Sequence, residues 1–224
     1  SSYGKVTRRA LARHLYLDTA PVLLGFTVLA ALISLVLTRI VVVTAISYGL
    51  SRYALEMVIR VLVLELIPLT AALFVAMRCT IPNGTQLALL RQSGHLARLS
   101  HAGADPIRVE LLPRAVAGVF ACITLAALSC VVALVLAYLG VYGFSLAGLP
   151  SYTRMFGHVF APAVTLVFVI KTVLFSLAVA LIPMAAGLYD TGERTQPDSE
   201  LGGLARMFAV LLLIEIGSLV GNYY

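Results

Sequence analysis

Ala115–Leu139 reads AVAGVFACITLAALSCVVALVLAYL, twenty-five residues without a single charge. As a helix it would rise about 37 Å, more than the roughly 30 Å hydrocarbon core of a bilayer. Four more stretches have the same character: Val22–Ala45, Tyr53–Met77, Phe160–Leu188 and Leu201–Val220. Across all 224 residues 61% are hydrophobic, 12% are charged, and the mean hydropathy is +1.00. A water-soluble domain of this size cannot bury so much apolar surface, so lipid is the solvent for most of the chain. The sequence therefore predicts an all-α integral membrane protein with five transmembrane helices, forming one domain over residues 1–224.

The basic residues set an expected orientation. Lys5, Arg8, Arg9 and Arg13, then Arg78, Arg91, Arg98, Arg108 and Arg114, then Arg194 and Arg206 fall on one side of the five crossings. The other side holds little beyond Arg52 and Arg154. The positive-inside rule then predicts an inward N-terminus and an outward C-terminus. The net charge of +6 reads as topology and contact with anionic lipid, and nucleic acid is not an expected partner. Residues 1–18 are basic without a cleavage pattern, so they read as a helix on the membrane surface rather than a signal peptide. Asp18 and Pro21 would turn it into the first crossing. The abrupt Ser1-Ser2 start is expected to follow further N-terminal residues.

Between the second and third crossings, residues 79–114 form an internal loop too long for a turn. After a break at Pro82-Asn83-Gly84, Thr85–Ser100 has helical character. Arg91, His95 and Arg98 share one face at i, i+4 and i+7, opposite Leu89 and Leu96. Such a helix could lie on lipid or dock in a groove of a soluble partner. Residues 189–203, with Asp190, Glu193, Asp198 and Glu200, read as an exposed linker. Gly140–His158 reads as a short interfacial segment, and Gly217 and Gly221 supply a weak GxxxG packing signal in the last crossing.

Charges at membrane depth are costly and need partners. Glu65, Lys171 and Glu215 sit inside the second, fourth and fifth crossings, so Lys171 is expected to pair with Glu65 or Glu215. Glu56 and Arg60 are spaced i, i+4 and can pair locally. Arg39 has no partner in its own stretch and would either snorkel outward or line a cavity that accepts an anion, where a guanidinium takes phosphate bidentately. Cys79, Cys122 and Cys130 lack ligand spacing, and His95 and His101 fall on different helix faces, so no metal site is expected. No catalytic constellation and no Walker A pattern is present, so the chain reads as no enzyme and has no means to hydrolyse ATP by itself.

Leu64–Arg78 (LELIPLTAALFVAMR), Ala104–Gly118 (ADPIRVELLPRAVAG) and Val169–Ile182 (VIKTVLFSLAVALI) follow one another in an order and spacing that resemble the MlaE/YrbE permease family. These are the membrane subunits of ABC transporters that work with MCE-domain lipid-binding proteins. The resemblance rests on Glu65, Pro68 and Arg78, on Asp105, Pro106, Pro113 and Arg114, and on Lys171 and Glu215. It implies a homodimeric permease in a bacterial inner membrane, moving phospholipid between that membrane and an MCE protein. ATP and magnesium would be bound by a separate cytoplasmic ATPase, with no cofactor on this chain. The lipid cavity would involve Arg39, Tyr48 and Glu65. The segment Thr85–Gly103 would be the coupling helix, with Gln86, Arg91, His95, Arg98 and Asp105 facing the ATPase.

The chain also departs from the family pattern. An Ala-Glu-[IL]-Gly element usually follows the Arg, whereas here Cys79–Leu87 reads CTIPNGTQL and the coupling helix is basic. A carboxylate contact to the ATPase would then be lost or replaced by contacts of opposite sign. The rival readings are a non-transporting scaffold that anchors an MCE protein and a secondary transporter that needs no ATPase.

Overall fold

The computed structural model describes the backbone of residues 2–189 and 197–223, with side chains at 23–50, 53–188 and 202–222. Among the described residues nine α-helices follow in order: α1 (Ser2–Ser47), α2 (Ser51–Val58), α3 (Ile67–Val75), α4 (Ile81–Gln92), α5 (His95–His101), α6 (Leu112–Tyr142), α7 (Leu149–Val159), α8 (Pro162–Tyr189) and α9 (Pro197–Tyr223). Five runs are long and apolar enough to cross a membrane: Leu23–Ser47, Tyr53–Gln92, Ile107–Tyr142, Pro162–Leu188 and Gly202–Asn222. The chain is an all-α membrane protein, and no strand occurs among the described residues.

Two expected breaks do not occur. The backbone runs as one helix from Ser2 to Ser47, with no turn at Asp18 or Pro21. The side chains of residues 1–22, and with them the expected surface contacts of Lys5, Arg8, Arg9 and Arg13, lie outside the described residues, as does most of the acidic linker. Nor does Pro82-Asn83-Gly84 end a helix, because Tyr53–Gln92 is a single helical run. At 40 residues it is about 60 Å long, twice the hydrocarbon thickness. The region expected as a loop is thus largely an extension of the second and third crossings beyond the membrane.

Proline is accommodated by widened turns. Three π-helical segments, Ile59–Leu66, Ala76–Thr80 and Ile107–Leu111, each end one residue short of an X-Pro step at Pro68, Pro82 or Pro113. The amides of Ile67, Ile81 and Leu112 reach back five residues, to the carbonyls of Leu62, Ala76 and Ile107. Proline has no N–H, and its ring crowds the carbonyl of the preceding turn. One wide turn absorbs both defects and lets the helix continue.

Helix α6 is the axis of the bundle, packed against α1, α3 and α8. Its buried positions are mostly small (Ala117, Gly118, Ala121, Cys122, Ala126, Ser129, Cys130, Ala133 and Ala137), which lets neighbouring backbones come close. This stripe, rather than the GxxxG of α9, is the packing seam. Among the described residues a methyl group on Gly217 would meet no neighbouring helix within 4 Å, and one on Gly221 only Val167 at 3.7 Å. At the end of the bundle that carries α7, Tyr152 donates to the Leu134 carbonyl at 2.9 Å, and burial pushes its hydroxyl pKa up to about 12. It therefore holds α7 to α6 as a neutral donor.

At the opposite end α4 crosses α8 through two glycines. A methyl group on Gly84 would lie 2.5 Å from the Pro183 carbonyl oxygen, and one on Gly187 would collide with the Gly84 carbonyl. Gly84→Ala and Gly187→Ala should each destabilise the protein by about 1–3 kcal/mol through overpacking. Gly217→Ala should leave stability unchanged. Unfolding midpoints in mixed detergent micelles check all three.

Candidate functional site: a buried ion cluster and a surface elbow

Pro68 explains the position of the buried cation. The α-helical donor to the Leu64 carbonyl would be the N–H of residue 68, which proline lacks. Lys171, only 2% exposed on α8, fills the vacancy, and its Nζ donates to the Leu64 carbonyl at 3.2 Å. The same ammonium forms an ion pair with Glu65 and lies 2.9 Å from Glu215 Oε2, an approach close enough for an ion pair but outside aligned hydrogen-bond geometry. Asn222 Nδ2 donates to Glu65 Oε1 at 3.4 Å, and the Phe175 ring lies 5.7 Å from Nζ. One cation on α8 thereby joins the second and fifth crossings. Both carboxylates engage it, where the sequence left open which one would.

The cluster lies about 12–18 Å along the helices from the α7 end of the bundle. Arg39 on α1 falls at a similar depth, eight residues or about 12 Å before Ser47. It is exposed and makes no hydrogen bond or ion pair among the described residues. Tyr48 is exposed in the turn after α1, and among the described residues no hydrogen bond or ion pair joins Arg39 or Tyr48 to Glu65. Glu56 and Arg60 pair at 3.1 Å on the partly buried α2 side.

At the other end α4 and α5 form an elbow bent at Gly94, whose φ of +71° lies in the left-handed region that glycine enters freely. The bend separates the three residues expected on one face. Arg91 Nη1 donates to the Leu188 carbonyl at the end of α8 (3.0 Å). His95 Nε2 lies 3.7 Å from Glu110, which pairs with the buried Arg114 at 2.9 Å. Arg98 reaches back to the Ser93 carbonyl at 3.5 Å. Asp105 caps Ile107 and pairs with Arg108, while Gln86 is exposed. The expectation of a continuous basic face is thus corrected. Arg91 and His95 tie the elbow to α8 and α6, and the open surface is carried by Gln86, Leu89, Gln92, Arg98, His101 and Arg108.

A model of the family described as Permease MlaE matches residues 11–220. The chain belongs to the MlaE permease family. No curated protein matches it. It is accordingly a multi-pass membrane permease, a component of lipid transport of the ABC type that works with partner proteins.

Two features of the permease escape sequence reasoning. Asn222 joins the ion cluster from the far end of α9, and Glu110 bridges the elbow to α6. Pro68 was a readable signal for the Leu64 carbonyl, because a helical proline always leaves one acceptor short. Removing one member of a buried ion cluster leaves the others uncompensated. Lys171→Met should therefore destabilise the permease by about 3–5 kcal/mol, whereas combining it with Glu65→Leu and Glu215→Leu should restore most of the loss. Denaturant titration of the single and triple variants gives the comparison.

Proposed function

We propose that this chain is the membrane subunit of an ABC transporter that moves phospholipid between a bacterial inner membrane and an MCE-domain protein. It would work as a dimer of two copies, with its N-terminus and the α4–α5 elbow in the cytoplasm. The observation that carries this reading is the stiff connection from the elbow to the helix that holds Lys171. The Gly84–Gly187 crossing and the Arg91 cap bind α4 to the end of α8, and sixteen residues further along α8 Lys171 grips Glu65 and Glu215. A push on the elbow by an ATPase would tilt α8 and shift the polar cluster in the middle of the membrane. Arg39, an unpaired guanidinium at that depth, is the group suited to take a lipid phosphate.

The elbow surface is basic, carrying exposed Arg98, His101 and Arg108 besides the exposed Leu89, so the ATPase groove that receives it should be acidic. Arg98→Glu with His101→Glu should reduce stimulation of the ATPase by about tenfold, from placing like charges across the contact, while the permease itself stays folded. Full stimulation by the charge-reversed protein would refute elbow docking. Arg39→Ala should lower the phospholipid that co-purifies with the complex and leave its assembly intact. Unchanged lipid content would remove Arg39 from the transport path. The altered Cys79–Leu87 segment favours a second reading, an anchoring scaffold, in which the wild-type chain would bind the MCE protein without stimulating any ATPase.

A further inference from the structure

A cavity of about 150 Å³ opens between α4, α8 and α9, away from the ion cluster. Its walls include Gly84 and Ala88 on α4, Pro183 and Gly187 on α8, and Gly203 and Met207 on α9. The small residues make the space, since the helices meet at their glycines and have no side chains to fill the angle beyond the crossing. A mostly apolar pocket of roughly this volume has room for a hydrocarbon segment of about six carbons. Its depth identifies the hydrocarbon. Pro183–Gly187 and Gly203–Met207 lie one to five residues, or about 2–8 Å, inside the elbow-side ends of the spans Pro162–Leu188 and Gly202–Asn222. That is where the upper part of a lipid chain meets its headgroup.

Arg206 stands on the flank of the same stretch of α9. Its Nε donates to the Gly202 carbonyl at 3.2 Å, and its two terminal amino groups have no partner among the described residues. A guanidinium held by one backbone bond at the headgroup level offers its remaining fork to a phosphate. We propose that this cavity is a binding site for an anionic phospholipid of the elbow-side leaflet, with the first carbons of one acyl chain among Ala88, Gly187 and Gly203 and the headgroup on Arg206. The site shares no residue with the Lys171 cluster and lies at the joint that connects the elbow to α8. Its occupancy would stiffen or loosen that joint, making it a place where membrane composition adjusts coupling. The binding claim does not depend on the transport reading.

The test uses the full chain in nanodiscs, without partner proteins. The probes are phosphatidylglycerol and phosphatidylcholine, each carrying a photoreactive diazirine near the glycerol end of one acyl chain. Peptide mapping should place the phosphatidylglycerol label on 81–88, 183–187 and 203–207, well above the label on lipid-facing positions such as Leu32 and Leu213. Ala186→Leu, at an exposed position on the rim, should remove that excess, and Arg206→Gln should bring phosphatidylglycerol down to the level of phosphatidylcholine. Labelling spread evenly over lipid-facing residues and indifferent to Ala186→Leu would overturn the site. A phosphatidylglycerol preference that survives Arg206→Gln would overturn its anionic assignment. Thermal unfolding of both variants at the wild-type midpoint is the control that ties a loss of label to the cavity.

Discussion

An ammonium buried among apolar helices must find countercharge and acceptors within reach, because neither water nor lipid supplies them. Lys171 finds them in three groups on two elements: the Leu64 carbonyl and the Glu65 carboxylate from one wide turn, and Glu215 from α9. The arrangement depends on a defect. Pro68 removes the amide that would otherwise satisfy Leu64, and the π segment before it turns the freed carbonyl and the neighbouring glutamate toward α8. A regular helix would satisfy that carbonyl internally and leave the lysine one acceptor short. A residue that usually breaks helices here makes the receptor for a buried charge.

The same logic organises the rest of the bundle. Each of the three π segments precedes a proline, and each lies beside a contact that matters. The first builds the ion cluster. The second leads into α4 and its glycine crossing with α8. The third carries Glu110, which joins His95 of the elbow to Arg114 at the root of α6. Small residues do the complementary work, since without a hydrophobic driving force between helices in lipid, close backbone approach is the main source of packing energy. The stripe along α6 and the pair Gly84 and Gly187 mark where that approach is closest. Stiffness along α8 follows from being held at two levels, by the glycine crossing near one end and by the ion cluster sixteen residues away.

Much of this was legible in the chain. The five crossings follow from uninterrupted apolar length, and the pairing of Lys171 with carboxylates on other helices follows from the cost of leaving any of the three alone. Glu56 and Arg60 follow from helical spacing. What could not be read was continuity. Pro82-Asn83-Gly84 looks like a break because proline and glycine are costly in a helix surrounded by water, yet both are accommodated where a neighbouring helix presses on them. The face shared by Arg91, His95 and Arg98 was a correct count on an unbroken helix, and Gly94 breaks that helix. The GxxxG of α9 was a true motif whose Gly217 faces no neighbour among the described residues, whereas the α6 seam is a small-xxx-small ladder (Gly118, Cys122, Ala126, Cys130) hidden within a uniformly apolar segment.

The sequence by itself therefore determined the solvent, the number of crossings, the family and the need for charge compensation, because these depend on composition, length and local spacing. The tertiary structure alone decided which carboxylates share Lys171, that Asn222 closes the cluster, that Arg91 and His95 of the elbow are spent on internal ties while Arg98 and His101 stay on its surface, and that a cavity remains beside the α4–α8 crossing. Those depend on which residues from distant parts of the chain arrive at the same depth and angle. Depth is counted along one helix, but angle is set only when helices pack, and in this protein small residues and wide proline turns set it.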